Sequence, residues 1–507
     1  MAPFAISDSA RRRFRPCFSL VLAISSVVLA CRAIHGPFHL LAISVNSPVN
    51  AQGALGLSVV ALVLLNSRLD KEDVSHVERI RHEPAIVLAI LLLTTAGLWP
   101  ALHFPLVSDD YTLARYGEEL TPAMVRYYFT QPGGDGFYRP VGYISLGLDA
   151  LWARHDPLGW HLLNLALHLA NIVFVWFLAR RILGGQGPAL WAAALFALHG
   201  TVPLTAAFLA ARFDVLAVFF VLAALILFTC YLASGAGWAL AASLLCALLG
   251  FLTKEVAFCL PLLAALAARG SIRPRARVLA GYFVLAAAVF SYRFWLLGGI
   301  GGYRDPVTGE PDILHVSVIR LLNGFGSRIW SVFDFPLNWS REPEPWLVPA
   351  LLAGTAALVY IAARTKASRS KLALTLAFVF IALLPVAHLL LVDSSLLGAW
   401  RFYLASAGFA LFLAAALQGM GTRERVCAGV VLLAFQTAAL VHNLAIWSHV
   451  AALADHTCAS AARQTALPAA VVFPAQVDGV PFLRNGFEPC VAFHREQANR
   501  RALPAAR

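Results

Sequence analysis

Charge is what this sequence has least of. Only 13% of its 507 residues are Asp, Glu, Lys or Arg. Just four are lysines: Lys71, Lys254, Lys366 and Lys371. No soluble domain carries so little charge on so much apolar surface, so a soluble enzyme is excluded. The chain has no CxxC pair and no Cys/His spacing of a zinc site, although it has eight cysteines. It has no tandem repeat at any period. The strict alternation of a transmembrane barrel is missing too. A basic start, Arg11–Arg12–Arg13, precedes the apolar stretch Cys17–Ile34. No small-residue cleavage site follows, and Arg32 interrupts, so the segment reads as a retained signal anchor.

What is present is hydrophobic length. Hydrophobic residues make up 60% of the chain, and the mean hydropathy is +0.73. The apolar runs are long and joined by short basic loops. They predict an all-α polytopic membrane protein with about 13 transmembrane helices. The expected spans are 17–34, 51–66, 85–103, 159–179, 188–203, 213–233, 238–252, 256–269, 278–297, 346–363, 372–392, 403–419 and 426–446. The net charge of +12 is mostly arginine in those loops. It sets topology and implies no nucleic-acid partner. With the N-terminus inside, the short inner segments hold about half of the basic residues, which places the C-terminus outside.

Three outer segments are then long: 104–158, 298–345 and 447–507. In the first, Thr121–Thr130 predicts a short interfacial helix rich in Tyr and Phe. In the second, Ile313–Phe335 is amphipathic and broken by Gly324 and Gly326, which suits an interfacial element better than a span. The expected organisation is an N-terminal membrane hairpin with a basic cytoplasmic loop (1–84), a transmembrane module (85–446) and a short extracytoplasmic tail (447–507). Six cysteines fall in or beside apolar helices, where cysteine is an ordinary small core residue. Cys458 and Cys490 share the tail, and an oxidising compartment favours a disulfide between them.

On this map, ionisable residues gather at the outer helix ends. Asp109 and Asp110 follow the apolar run Ile86–Leu102. Adjacent carboxylates repel, which is costly at a membrane surface unless a metal, a cation or a reacting proton uses them. The plain alternative is a solvated loop. Lys254 is the one lysine on the outer side. Its partner is either the neighbouring Glu255 or a lipid phosphate. Arg212 and Asp214 pose the same choice, with a structural ion pair as the simpler reading. His168 lies within a helix, where a hydrogen-bonded interior role is the common one.

These motifs resemble the GT-C class of polytopic glycosyltransferases. The class includes protein O-mannosyltransferases, aminoarabinose transferases acting on lipid A, and tetratricopeptide-tailed transmembrane O-mannosyltransferases. Asp109–Asp110 matches the acidic pair of the first large outer loop. Tyr138–Arg139–Pro140 is followed by Trp160–His161–Leu162–Leu163–Asn164 and His168. Leu195–His199 precedes Arg212–Phe213–Asp214. Thr253–Lys254–Glu255 resembles a Ser-Lys-Glu step, and Arg401–Phe402–Tyr403–Leu404 a late Arg-Tyr-Leu-Tyr-like motif. The match runs in order from about residue 85 to about residue 420. Gly200 and Ala405 stand where prolines are common, the first two helices look like an addition, and the tail carries no tetratricopeptide repeats.

The resemblance implies a sugar moved from a polyprenyl-phosphate donor to a protein, lipid or glycan acceptor, with inversion, at the extracytoplasmic face of a bilayer. The expected setting is a bacterial inner membrane with the site facing the periplasm or cell exterior. Phosphate is an acidic leaving group, so the reaction needs a base and phosphate-binding cations rather than a general acid. Asp109 is the expected base, with Asp110 orienting it or holding a divalent metal together with it. Arg139, Lys254 and Arg401 are the expected phosphate contacts. Tyr138, His168, His199, Arg212, Asp214, Glu255 and Tyr403 are the expected supporting residues. A transporter or lipid flippase is the main rival, since intramembrane charges also mark transport paths. Against it, there is no inverted repeat, and the charges lie on one side. A membrane scaffold is a third possibility.

Overall fold

The computed structural model describes residues 8–40, 43–68, 82–132, 136–153, 156–269, 275–304, 309–464 and 472–502. Most of the expected basic loop 67–83, with Lys71, and most of the loop 269–277 lie outside the described residues.

Helices dominate. Among the described residues, ten are long and apolar enough to cross a membrane: Ala10–His35, Val49–Asn66, Glu83–His103, Pro157–Gly184, Leu209–Ser234, Ala276–Leu297, Leu347–Arg364, Arg369–Leu389, Ala399–Gln418 and Thr422–Ala462. The protein is therefore an all-α polytopic membrane protein. The other three expected spans, 188–203, 238–252 and 256–269, fall on shorter apolar helices. They are Gln186–Ala197, Gly237–Phe251 and the segment Glu255–Ala267. Hydropathy finds the apolar runs but not where a helix stops. Gly200 falls in the turn that ends the first of these helices before the expected 203.

The helix Tyr403–Gln418 lies at the centre, with every residue from Tyr403 to Leu417 buried. A helix apolar all round must be enclosed on all sides. Its neighbours are the Gln186–Ala197, Leu209–Ser234 and Arg369–Leu389 helices. Helices at the rim instead expose large apolar side chains, such as Leu20, Val27, Val284 and Trp295. A bilayer is the solvent that accepts such a surface.

The N-terminal hairpin is built into this bundle. Arg32 makes a two-pronged pair with Glu342, both contacts 2.7 Å. The Asn66 side chain donates to Ala362 O at 2.7 Å. Gly53 and Gly56 lie flush against Ser327 and Asp334, where a Cβ would collide. The loop helices follow the sequence pattern. Pro122–Thr130 is capped by Thr121, whose hydroxyl accepts from Met124 N. The 313–335 segment breaks into Val318–Asn323, a wound turn at Gly324–Arg328 and Ile329–Asp334.

The last long helix runs on to Ala462. A two-residue Asp478–Gly479 turn, both at positive φ, joins the strands Gln476–Val477 and Val480–Pro481. The helix Phe487–Ala502 follows. A disulfide joins Cys458 to Cys490, with Cα atoms 5.9 Å apart. Asn338 and Arg341 hold the turn through Asp478 at 2.8 and 2.7 Å.

Candidate active site

Asp109 and Asp110 do different things. Asp110 is fully buried at the start of the helix Asp110–Glu118. One of its oxygens accepts the Ala210 N–H at 2.9 Å and the other accepts the Val107 N–H at 3.4 Å. It therefore straps the loop to the turn Leu209–Ala211. Burial pushes its carboxyl up to about 8, against the backbone N–H bonds of Ala210, Leu209 and Val107. Asp109 instead lines an open cavity. Among the described residues, no group of three or more His, Cys, Asp or Glu stands ready to hold a metal. With Asp110 committed to backbone N–H groups, the donor set for a metal here is one carboxylate. The residues present do not fit a metal held by the pair, and no step is derived through one.

The ion pairs differ from those that sequence adjacency suggests. Lys254 pairs with Asp214, Nζ to Oδ2 at 2.5 Å, not with Glu255. Glu255 holds Arg139 at 2.6 and 3.1 Å and Arg293 at 3.3 Å. Arg212 pairs with Asp149 at 2.6 Å, both fully buried, and also bonds Asn164 and Trp160 O. The reason is geometric. Residues two apart on a helix point about 200° away from each other, so Arg212 and Asp214 cannot meet. Lys254 has an extended backbone, φ −162° and ψ 153°, which turns its side chain away from that of Glu255.

Two cavities share one wall. The first is apolar, about 390 Å³, and is lined by Val256, Phe258, Leu262, Phe290, Ile313 and Leu389 among others. The second is more open and polar, about 910 Å³, and contains Asp109, Thr112, Trp400, Arg304 and Asn485. Arg139, Lys254 and Arg401 line both, together with Phe137, Gly301, Gly302 and Tyr303. Around this wall four cations (Arg139, Lys254, Arg293, Arg401) face two carboxylates (Glu255, Asp214). The excess of two positive charges suits an anion such as phosphate. Arg401 accounts for part of that excess. It donates to the Tyr303 hydroxyl at 3.3 Å and lies over the Tyr303 and Trp400 rings. Among the described residues it has no carboxylate partner.

The other expected residues sit behind this wall. The Tyr138 hydroxyl donates to Phe129 O at 3.4 Å. His168 hydrogen-bonds the Tyr403 hydroxyl at 2.6 Å. His199 contacts Thr201 and Phe333 O at 2.8 and 3.1 Å. All four are buried, and none lines either cavity. Arg212 and Asp214 likewise act through partners, Arg212 as a clamp within the core and Asp214 by holding Lys254.

Sequence reasoning missed Asp149, Arg293, Tyr303 and Asn485. Asp149 is the one charge in the helix Pro140–Ala150 and Arg293 a lone charge within the apolar stretch Val278–Leu297, and that isolation was the available signal. Tyr303 follows a cluster of glycines, Gly298, Gly299, Gly301 and Gly302, all at positive φ. The Gly302 N–H bonds Gly136 O at 3.0 Å, so this turn folds against the segment before Arg139. Asn485 has no sequence signal for a site.

No family model matches the chain. A stretch of 125 residues is 31% identical to Protein O-mannosyl-transferase Tmtc1 of Drosophila melanogaster. That stretch is 25% of this chain, and the chain spans only 15% of the relative's length. Among solved structures, ArnT from Cupriavidus metallidurans bound to undecaprenyl phosphate aligns over 80% of this chain and 85% of its own, with TM-score 0.44 and 14% identity.

Proposed function

We propose that the protein is a membrane glycosyltransferase moving a sugar from a polyprenyl-phosphate donor to an acceptor hydroxyl at the extracytoplasmic face. One observation carries this reading: the wall shared by an apolar and a polar cavity is made of Arg139, Lys254 and Arg401. A polyprenyl-phosphate sugar has the same three parts in the same order. The prenyl chain would lie in the apolar cavity, the phosphate on the cations and the sugar in the polar cavity near Asp109. The stretch shared with a protein named as an O-mannosyl-transferase supports the same class.

The reaction follows from the groups present. The acceptor oxygen attacks the anomeric carbon, and its proton goes to the Asp109 carboxylate. The bond from that carbon to the phosphate oxygen breaks, and its electron pair leaves with the polyprenyl phosphate. Charge then grows on the phosphate, where the cations stabilise it. Asp109 is the carboxylate lining the polar cavity. A single displacement without a second carboxylate nucleophile inverts the anomeric centre. The acceptor is a protein, lipid or glycan. The setting proposed is a bacterial inner membrane with the site facing the periplasm or exterior, and the organisation is a catalytic module at 85–446 flanked by the hairpin and the tail.

The test is Asp109→Asn, which keeps size but cannot take the proton. Transfer should fall about 10²–10⁴-fold with binding of polyprenyl phosphate unchanged. Normal transfer would remove Asp109 from the mechanism. Accumulation of flipped lipid without any transfer would favour the flippase.

A further inference from the structure

The C-terminal segment reaches the candidate catalytic loop directly. Gly486 is buried, and its backbone lies against Ser108. A Cβ at Gly486 would stand 1.9 Å from Ser108 O and 2.5 Å from its carbonyl carbon. Those are backbone atoms, so a side chain there must push the loop. Ser108 has φ +45°, a left-handed conformation that a residue with a Cβ holds only when its surroundings enforce it. Two contacts enforce it. Asp110 straps the loop on one side through Ala210 and Val107. Gly486 abuts it on the other.

Gly486 is in turn held in place. The Cys490 N–H bonds Gly486 O at 2.9 Å. Cys490, one helical turn on, is the residue bridged to Cys458 of the long Thr422–Ala462 helix. Phe493 packs edge-on to Tyr111, ring centroids 5.5 Å apart, on the helix that Asp110 begins. The same segment walls the polar cavity with Ala475, Pro481 and Asn485.

The geometry points to the disulfide-pinned tail as a positioning element for Asp109, with Gly486 the positioning residue. It acts by fixing the Ser108 backbone, one residue before the proposed base. The role in transfer rests on the glycosyltransferase reading; the contact with the loop does not.

The experiment therefore has two arms, both on the full chain in lipid. The first needs no activity. Asp109→Cys is labelled with a charged maleimide, and modification at position 109 is followed by peptide mass spectrometry. Adding Gly486→Ala, or the pair Cys458→Ser and Cys490→Ser, should change the labelling rate several-fold. An unchanged rate in both backgrounds overturns the inference. The second arm keeps Asp109 and uses a polyprenyl-phosphate mannose as donor. Gly486→Ala should lower turnover by about 10²-fold, the scale of an ångström-sized misplacement, with polyprenyl-phosphate binding unchanged. Equal loss of turnover and binding marks a merely structural residue and overturns it, as does wild-type turnover. No transfer by the wild-type chain would sink the functional reading and leave the labelling arm to decide the positioning. If Gly486→Ala does not accumulate, the double Ser variant carries both arms.

Discussion

Arg401 gives the sharpest test of the cationic wall, because its charge is not already spent. Arg139 and Lys254 are each matched by a carboxylate, at 2.6 and 2.5 Å. Among the described residues, Arg401 has the Tyr303 hydroxyl and two aromatic rings and no carboxylate. Removing its guanidinium therefore breaks no internal ion pair, and Arg401→Met should leave thermal stability nearly unchanged. The loss should fall on the ligand. A hydrogen bond between charged partners contributes about 1.5–3 kcal/mol, which converts to roughly 10- to 150-fold weaker binding of polyprenyl phosphate. Arg401→Lys keeps the charge but gives up the stacked fork, so its affinity should fall between the two. Arg139→Met should behave differently. It strips Glu255 of its 2.6 Å partner and leaves it Arg293 at 3.3 Å, so stability and affinity should drop together. The assay is equilibrium binding of polyprenyl phosphate to the protein in nanodiscs, alongside its unfolding temperature. Wild-type affinity in Arg401→Met would refute the placement of phosphate on this wall.

Other outcomes follow from the same geometry. Arg212→Met abandons a fully buried Asp149 and should cost about 3–5 kcal/mol in unfolding measurements, whereas Arg212→Met with Asp149→Leu should recover most of it. The Asp110 carboxyl is raised to about 8 in the fold from an ordinary 3.8, so the folded protein holds a proton that the unfolded chain releases. Its stabilising contribution is full below about pH 4 and is lost as pH rises through about 8. Unfolding temperatures across that window should fall with pH in the wild type and flatten in Asp110→Asn, which can still accept from Ala210; equal slopes would remove Asp110 as the cause. Reporter fusions at Gly302 and at Arg484 should both read extracytoplasmic, and a cytoplasmic signal at either would break the topology.

The sequence by itself determined the class of protein, because long apolar runs with little charge have one stable solvent, the bilayer. It also singled out three candidate cations. Arg139, Lys254 and Arg401 stand out as isolated charges at helix ends, and all three line both cavities. The tertiary structure decided their pairing. Adjacent residues in a chain point apart, so Lys254 reaches Asp214 across 40 positions and Arg139 reaches Glu255 across 116. It also decided which aspartate faces the cavity. Asp109 and Asp110 are chemically alike, and only the backbone N–H groups of Ala210 and Val107 claim the second. One helix end was hard to read because hydropathy is blind to the turn at Gly200 that stops Gln186–Ala197 before the expected 203. The contribution of the tail was invisible, since Gly486 has no side chain to announce a contact. Its importance lies in the space it leaves for Ser108, and only packing creates that space.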